Sequence, residues 1–252
     1  GAQPSQALAA DTAAVQRLLD RLETLSALKF QSDAPTNADI EEWGFNRPER
    51  EITLTIGGTS ATQTLQIGLP TKRENVAYAR IAGLPSVYAV EPDILSETSA
   101  SPLAWRERLL STLPEAARIT SLSLSNASDG TVIYARKLGD GETWDKALEA
   151  ETPARRAAVD AILAQLRTLR AAKFQQDGFP DKVLAAGEMR PWKYRLDAMV
   201  SLPGGTGQTT TMTLWIADRT GGTEQFAGSK EIGAVFALEQ PLLDALFTLT
   251  QP

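Results

Sequence analysis

Neither cysteine nor histidine occurs anywhere in the 252 residues. Together those absences remove thiol nucleophiles, disulfides, imidazole acid–base catalysis and most zinc sites. A chain without cysteine also suits a compartment outside the cytoplasm, where stray thiols are a liability. No run of about 18 apolar residues is present and no signal peptide stands at the start, so no segment reads as a membrane span. Positive charge is scarce: 25 Lys and Arg stand against 31 Asp and Glu, a net charge of -6. The basic residues are scattered, densest at Arg155-Arg156, which argues against nucleic acid as a partner. The chain opens on Gly1 rather than Met, and we expect an upstream anchor or signal to have been removed.

What is present is the material of a folded core. With 42% apolar and 22% charged residues, the composition is globular, enough for one large domain or two of about 100 to 125 residues. From Asp11 the apolar positions Val15, Leu18, Leu19, Leu22 and Leu25 follow helical spacing, with Arg17, Asp20, Arg21 and Glu23 opposite. After Pro35 and Asn37 the period changes to two. Strands are expected at Glu51–Ile56, Thr62–Ile67, Val76–Ile81 and Ser86–Val90, the first two joined by a Gly57-Gly58 turn. Pro92-Asp93-Ile94-Leu95 opens a short helical turn. Pro102 to Leu113 reads as a connecting helix stopped by Pro114, followed by a hairpin of Arg118–Ser125 and Thr131–Leu138. A second long helix starts at Thr152-Pro153, with the stripe Val159, Ile162, Leu163, Leu166 and Leu169.

Two stretches, ALKFQSD at Ala27–Asp33 and AAKFQQD at Ala171–Asp177, are nearly the same text. Laying Val15–Asp33 on Val159–Asp177 gives ten identities in nineteen positions, and all five stripe positions stay apolar. Arg47-Pro48 recurs as Arg190-Pro191, and Val87-Tyr88-Ala89-Val90-Glu91 as Val235-Phe236-Ala237-Leu238-Glu239. Blocks that recur in order read as an internal duplication. On this reading the shared endings close two helices, Lys29 and Lys173 complementing the helix dipole in each last turn. Glu224-Gln225-Phe226 is expected where the first copy has Tyr78-Ala79-Arg80, and Gly187-Glu188-Met189 where it has Trp43-Gly44-Phe45.

Several motifs invite a chemical reading. Ser26-Ala27-Leu28-Lys29 has the S-x-x-K spacing of penicillin-recognising serine enzymes, but neither S-D-N nor K-T-G accompanies it, and Arg170 replaces the serine in the second copy. Gly204-Gly205-Thr206-Gly207 and Gly228-Ser229-Lys230 lie between β runs rather than at a helix start, so hairpin turns explain them better than a phosphate cradle. Asp129, Asp140, Glu142 and Asp145 lack the spacing of a calcium loop. The 31 acids leave room for a carboxylate pair of the glycosidase kind, with nothing to single out two of them. The five tryptophans, Trp43, Trp105, Trp144, Trp192 and Trp215, suit packing at element junctions. The alternative is a partner surface at the Arg-Pro turns, formed by Trp43, Arg47, Trp192 and Arg190. No cofactor or metal is expected.

The order of motifs resembles a known family. Trp43-Gly44-Phe45-Asn46-Arg47-Pro48, Ile67-Gly68, Tyr78-Ala79-Arg80 and Val87-Tyr88-Ala89-Val90 follow one another as in the bacterial family known as domain of unknown function 4340. The bridge is similar too, in Trp105-Arg106-Glu107-Arg108, Ile119–Leu124 and Trp144. The resemblance implies an α+β fold and a position outside the cytoplasm behind an N-terminal membrane anchor. It also implies company with ABC-type export or gliding-motility-like membrane complexes, and no known activity.

The expectation is therefore an α+β protein of two related units, each a long amphipathic helix packed on an antiparallel meander. Residues 1–100 form the first unit, 101–117 the connecting helix, and 118–252 the second unit with its additional N-terminal hairpin. The first sheet, lacking such a hairpin here, is expected to have lost its own with an N-terminal segment or to keep an open edge. The expected function is a non-catalytic extracytoplasmic binding or scaffold module with a protein partner in the cell envelope. The alternative is a carboxylate-based hydrolase or carbohydrate-binding protein.

Overall fold

A computed structural model describes residues 8–55, 57, 61–71, 75–185, 187–202, 209–219 and 224–251. Gly58 of the expected turn and Gly204-Gly205-Thr206-Gly207 lie outside the described residues. The fold is mixed α and β with antiparallel sheets, and its described residues divide into two compact units, one of Ala9–Trp105 and one of Leu8 together with residues 106–251. Among the described residues no helix is long and apolar enough to cross a membrane.

The first unit runs α1 (Thr12–Glu23), β1 (Lys29–Ser32), α2 (Asn37–Glu42), β2 (Arg50–Thr55), β3 (Thr62–Gly68), β4 (Ala77–Ile81), β5 (Val87–Val90) and α3 (Ile94–Glu97). Asp11 caps α1 by accepting from the Ala14 N–H at 3.0 Å, which satisfies one of the donors a helix start leaves unpaired. The helix stops at Thr24, and the five strands form a sheet of order β1-β5-β4-β3-β2. Period-2 alternation puts Ile67, Ala77, Ala79 and Val90 on one face, against Leu22, Leu25 and Ile94. Trp43, Phe45, Tyr78, Val87 and Ala89 pack on the other.

The second unit runs β6 (Leu109–Thr112), β7 (Arg118–Asn126), β8 (Val132–Lys137), α4 (Trp144–Ala147), α5 (Pro153–Arg167), β9 (Thr168–Asp177), β10 (Lys182–Ala185), β11 (Glu188–Pro191), β12 (Tyr194–Ser201), β13 (Thr209–Ile216), β14 (Phe226–Ser229), β15 (Ala234–Leu238) and α6 (Gln240–Thr250). Its main sheet has eight strands in the order β6-β9-β15-β14-β13-β12-β7-β8, with β10 and β11 a separate hairpin. The inner five, β9-β15-β14-β13-β12, repeat the first unit's order strand for strand. Here β6 lies outside β9, the β7–β8 hairpin lies outside β12, and α6 packs on α5.

Three expectations are corrected. First, the shared text does not end helices. Lys29 and Phe30 lie in β1 opposite Ala89 and Tyr88, and Lys173 and Phe174 lie in β9 opposite Ala237 and Phe236. In both, the register slips at the next residue, Gln31 or Gln175. The motif therefore encodes a bulged strand that pairs with the last strand of its sheet, and this pairing overrides the helical spacing of the leucines before it. Second, Pro102–Leu113 is not a helix. Only Pro102–Trp105 forms a 3-10 turn, and β6 follows, because β9 takes up its backbone: Ala171 N–H donates to the Arg108 carbonyl at 2.8 Å and Leu113 N–H to that of Arg167 at 2.9 Å. Third, register places Phe226-Ala227-Gly228, not Glu224-Gln225-Phe226, at the position of Tyr78-Ala79-Arg80. Ala79 lies opposite Tyr88 as Ala227 lies opposite Phe236.

Candidate partner-binding surface

The motif residues of the first unit meet in one internal clasp. A capping box starts α2: the Thr36 hydroxyl accepts from Asp39 N–H at 3.2 Å, and the Asp39 carboxylate accepts from Thr36 N–H at 2.8 Å. That backbone N–H, with the Thr36 hydroxyl, holds the Asp39 carboxyl below its ordinary range. The helix leads through Trp43 into Gly44, whose φ of 78° favours glycine. A Cβ at Gly68 would sit 2.2 Å from the Trp43 carbonyl oxygen, and one at Gly44 2.3 Å from that of Leu69. The two backbones touch, so only glycine fits at either place. Trp43 then packs on Tyr78, ring centroids 5.5 Å apart, and the Arg80 guanidinium lies 4.5 Å above the Phe45 ring. Arg80 Nε donates to Gln66 at 2.8 Å, and Gln66 Nε2 to Glu51 at 2.6 Å. These residues hold one another, which corrects the reading of Trp43 as part of a partner surface.

Trp192 is likewise buried. Its indole N–H donates to the Pro180 carbonyl at 2.8 Å, and its ring stacks on Phe179 at 5.3 Å. A Cβ at Gly228 would come within 2.7 Å of the Trp192 ring, so Gly228-Ser229-Lys230 serves packing rather than phosphate. Trp105 and Trp144 also donate to backbone carbonyls, of Ser99 and Ile119. Of the four residues read as a partner surface, Arg47 is exposed, and Arg190 pairs with Glu188 at 2.9 Å. The two tryptophans belong to separate cores, where apolar burial rather than recognition accounts for them.

The other chemical candidates dissolve on geometry. Ser26 follows the end of α1 and donates to the Thr24 carbonyl at 3.3 Å, while Lys29 stands in β1, so no helix aligns the two. Asp129 caps its own turn by accepting from Thr131 N–H, Glu142 accepts from Gly139 N–H, and Asp145 pairs with Arg156. Those backbone donors are the leading cause that holds the Asp129 and Glu142 carboxyls below their ordinary range. Among the described residues no three acids converge as a metal site would require. A cleft of about 220 Å³ in the second unit contains Lys193, Asp218, Arg219 and Gln225. Its carboxylate is occupied: Lys193 Nζ stands 2.7 Å from Asp218 and its pKa is raised by that hydrogen bond.

What sequence reasoning missed is uncovered apolar surface, visible only by comparing equivalent positions. Phe174 is 8% exposed and its counterpart Phe30 is 52% exposed. Phe236 is fully buried; its counterpart Tyr88 is 39% exposed. Phe30 and Tyr88 meet edge to face at 5.6 Å, beside a groove of about 280 Å³ lined by Leu25, Ala27, Leu65, Ala79 and Ile81. On α1 itself Val15 is 36% exposed, where Val159 of α5 is fully buried. In the second unit α6 places Leu242, Leu243, Leu246 and Leu249 in the core, and Arg106 lies 4.2 Å above the Phe174 ring. In the first unit the element after the last strand, α3, has four residues.

The model of the family described as domain of unknown function (DUF4340) matches residues 2–198. No curated protein and no solved structure matches the chain.

Proposed function

The chain belongs to the DUF4340 family, and from that premise we propose that it is a non-catalytic binding or scaffold module with a protein partner in the cell envelope. It works outside the cytoplasm, as an accessory of a membrane complex of the ABC-type export or gliding-motility-like kind, the setting that the family resemblance implies. It arose by duplication of one helix-on-meander unit, the second copy completing its own core and the first presenting its surface. One observation carries the reading: Phe30 and Tyr88 lie open in the first unit, while their counterparts Phe174 and Phe236 are covered. Large side chains left in water at positions the same fold can bury point to an absent partner. The test is chemical crosslinking in the native cells followed by purification of the protein. A stable envelope partner lost on Tyr88→Ser supports the reading, and a monomer without partners removes it.

A second reading, a carboxylate-based hydrolase or carbohydrate-binding protein, has one observation in its favour. A groove of about 340 Å³ beside β2 contains Glu49, Glu51 and Trp105. Against it, Glu49 pairs with Arg50 at 3.1 Å and Glu51 accepts from Gln66. Both glutamates are exposed, whereas a catalytic acid needs apolar surroundings to keep its proton. Oligosaccharide binding abolished by Glu51→Gln would reinstate this reading.

A further inference from the structure

In the second unit the outer side of β12 is occupied along its length by β7, from Tyr194 opposite Asn126 to Ser201 opposite Arg118. Leu124 stands beside Leu196, Ser123 beside Asp197 and Leu122 beside Ala198. In the first unit Ile52 holds the position of Leu196, because Ile52 lies opposite Leu65 as Leu196 lies opposite Leu214. Thr53 and Leu54 then correspond to Asp197 and Ala198. Yet among the described residues β2 pairs with β3 alone.

The direction of the unused backbone groups follows from alternation. Ala82 N–H donates to the Thr64 carbonyl at 2.8 Å, so Thr64 turns its backbone away from β2. Thr53, opposite Thr64, then turns its own N–H and C=O away from β3. The two hydroxyls lie 2.8 Å apart, as in the closer, non-hydrogen-bonded kind of pair. Glu51, Thr53 and Thr55 therefore present their backbone groups outward in a row. Beside them runs the groove of about 340 Å³, with Leu18, Ile52, Ala100 and Trp105 as apolar lining and Glu49 and Glu51 as its acids.

We propose that the β2 edge accepts an extended segment of the protein partner as a sixth, antiparallel strand. The incoming segment carries apolar side chains at alternate positions, beside Ile52 and Leu54, small polar ones between them, and a Lys or Arg opposite Glu51. The strand β7 supplies the pattern, since Ile119-Thr120-Ser121-Leu122-Ser123-Leu124-Ser125 fills the corresponding place in the second unit. The basic residue follows from charge complementarity with the exposed Glu49 and Glu51. Main-chain pairing supplies the attraction and the alternate side chains the selectivity. The proposal rests on the reading of the chain as a binding module.

The test uses the full chain and a synthetic peptide of the sequence Arg118–Asn126, with amide hydrogen exchange followed residue by residue. In the free chain the Thr53 and Thr55 amides are expected to exchange rapidly and those of Ile52 and Leu54, which face β3, to be protected. The peptide is expected to slow Thr53 and Thr55 about tenfold or more. A peptide with Ser125→Lys, which the register sets opposite Glu51, binds roughly two- to fivefold tighter at low salt, and Glu51→Gln abolishes that gain. Thr53→Pro abolishes binding with the circular dichroism unchanged, because the N–H it removes does not serve β3. Should that variant not fold, loss of the lysine advantage in Glu51→Gln decides the matter. No protection at Thr53, or protection confined to residues around Tyr88, overturns the proposal. So does a Thr53 amide already protected in a chain that sediments as a dimer, since a second copy then holds the edge. Photocrosslinkers at positions 53 and 88 in native cells separate the two levels. Partner capture from 88 alone overturns this edge assignment and leaves the binding reading standing, whereas capture from neither removes both.

Discussion

The two units use the same five-strand order, the same bulged first strand and a leading helix with the same stripe, and differ in what surrounds them. The second adds β6 on one edge, the β7–β8 hairpin on the other and α6 on the helix layer. The first has none of these among its described residues, and it keeps Phe30, Tyr88 and Val15 in water. The comparison separates two roles that one fold can serve. In the second unit β9 and β12 are flanked by β6 and β7, whereas their counterparts β1 and β2 have no such neighbour among the described residues and are the edges of their sheet.

The largest break in that comparison is expected from equivalent truncations. Phe236→Ala opens a cavity in a closed core and should cost about 3–5 kcal/mol, whereas Tyr88→Ala, at the same position of the other sheet, should cost about 1 kcal/mol or less. Denaturant titration of both variants checks the contrast, and equal losses would mean that Tyr88 is covered after all. Next comes Gly68→Ala. Its Cβ would meet the Trp43 carbonyl, and since backbone rather than a flexible side chain must move, a loss of roughly 2–3 kcal/mol is expected, with hydrogen exchange accelerating in the first unit. Thr36→Ala removes the cap that orients α2 into the same clasp and should cost about 1 kcal/mol, read from the shift in melting temperature.

The smallest effect is on pH. Asp39 in the first unit and Asp129 and Glu142 in the second have folded pKa values held below their ordinary ones by backbone N–H donors. For a depressed carboxyl the unfolded chain binds protons first. Its contribution is complete above the ordinary carboxylate range and fades as pH falls from about 4 through the lower folded value. Denaturant midpoints at pH 7 and pH 3 measure the loss, and Asp39→Asn should flatten the slope slightly. An unchanged slope in an Asp129→Asn, Glu142→Gln chain would show that the second unit's two turns contribute nothing to it.

Much of the strand framework was legible in the residues. β2 to β5 and the β7–β8 hairpin follow from period-2 alternation and turn residues, and α1 and α5 from their stripes and caps. Helix ends were not legible, because Leu25, Leu28 and Leu169 keep helical spacing while the chain beyond leaves to pair with β5 or β15. Pro102–Leu113 has helix-compatible residues, yet β9 draws Leu109–Thr112 into the sheet. α6 did carry a signal, Pro241 at its start with Leu242, Leu243, Leu246 and Leu249 at helical intervals. The expected tryptophan surface failed for a different reason: indole size and position beside an Arg-Pro turn suit a core as well as an interface.

The repeated text, the strand spacing and the glycines that let two backbones touch are written in the sequence, since each depends on local spacing or on the absence of a Cβ. Which apolar residues face water is not. Val15 and Val159 are the same residue in the same stripe, as Phe30 and Phe174 are in the same bulged strand, and one of each pair is covered while the other is open. In the second unit α6 packs on α5, β6 pairs with β9 and Arg106 lies over the Phe174 ring, and burial is decided by which such neighbours arrive. In the first unit, among the described residues, no such neighbours arrive.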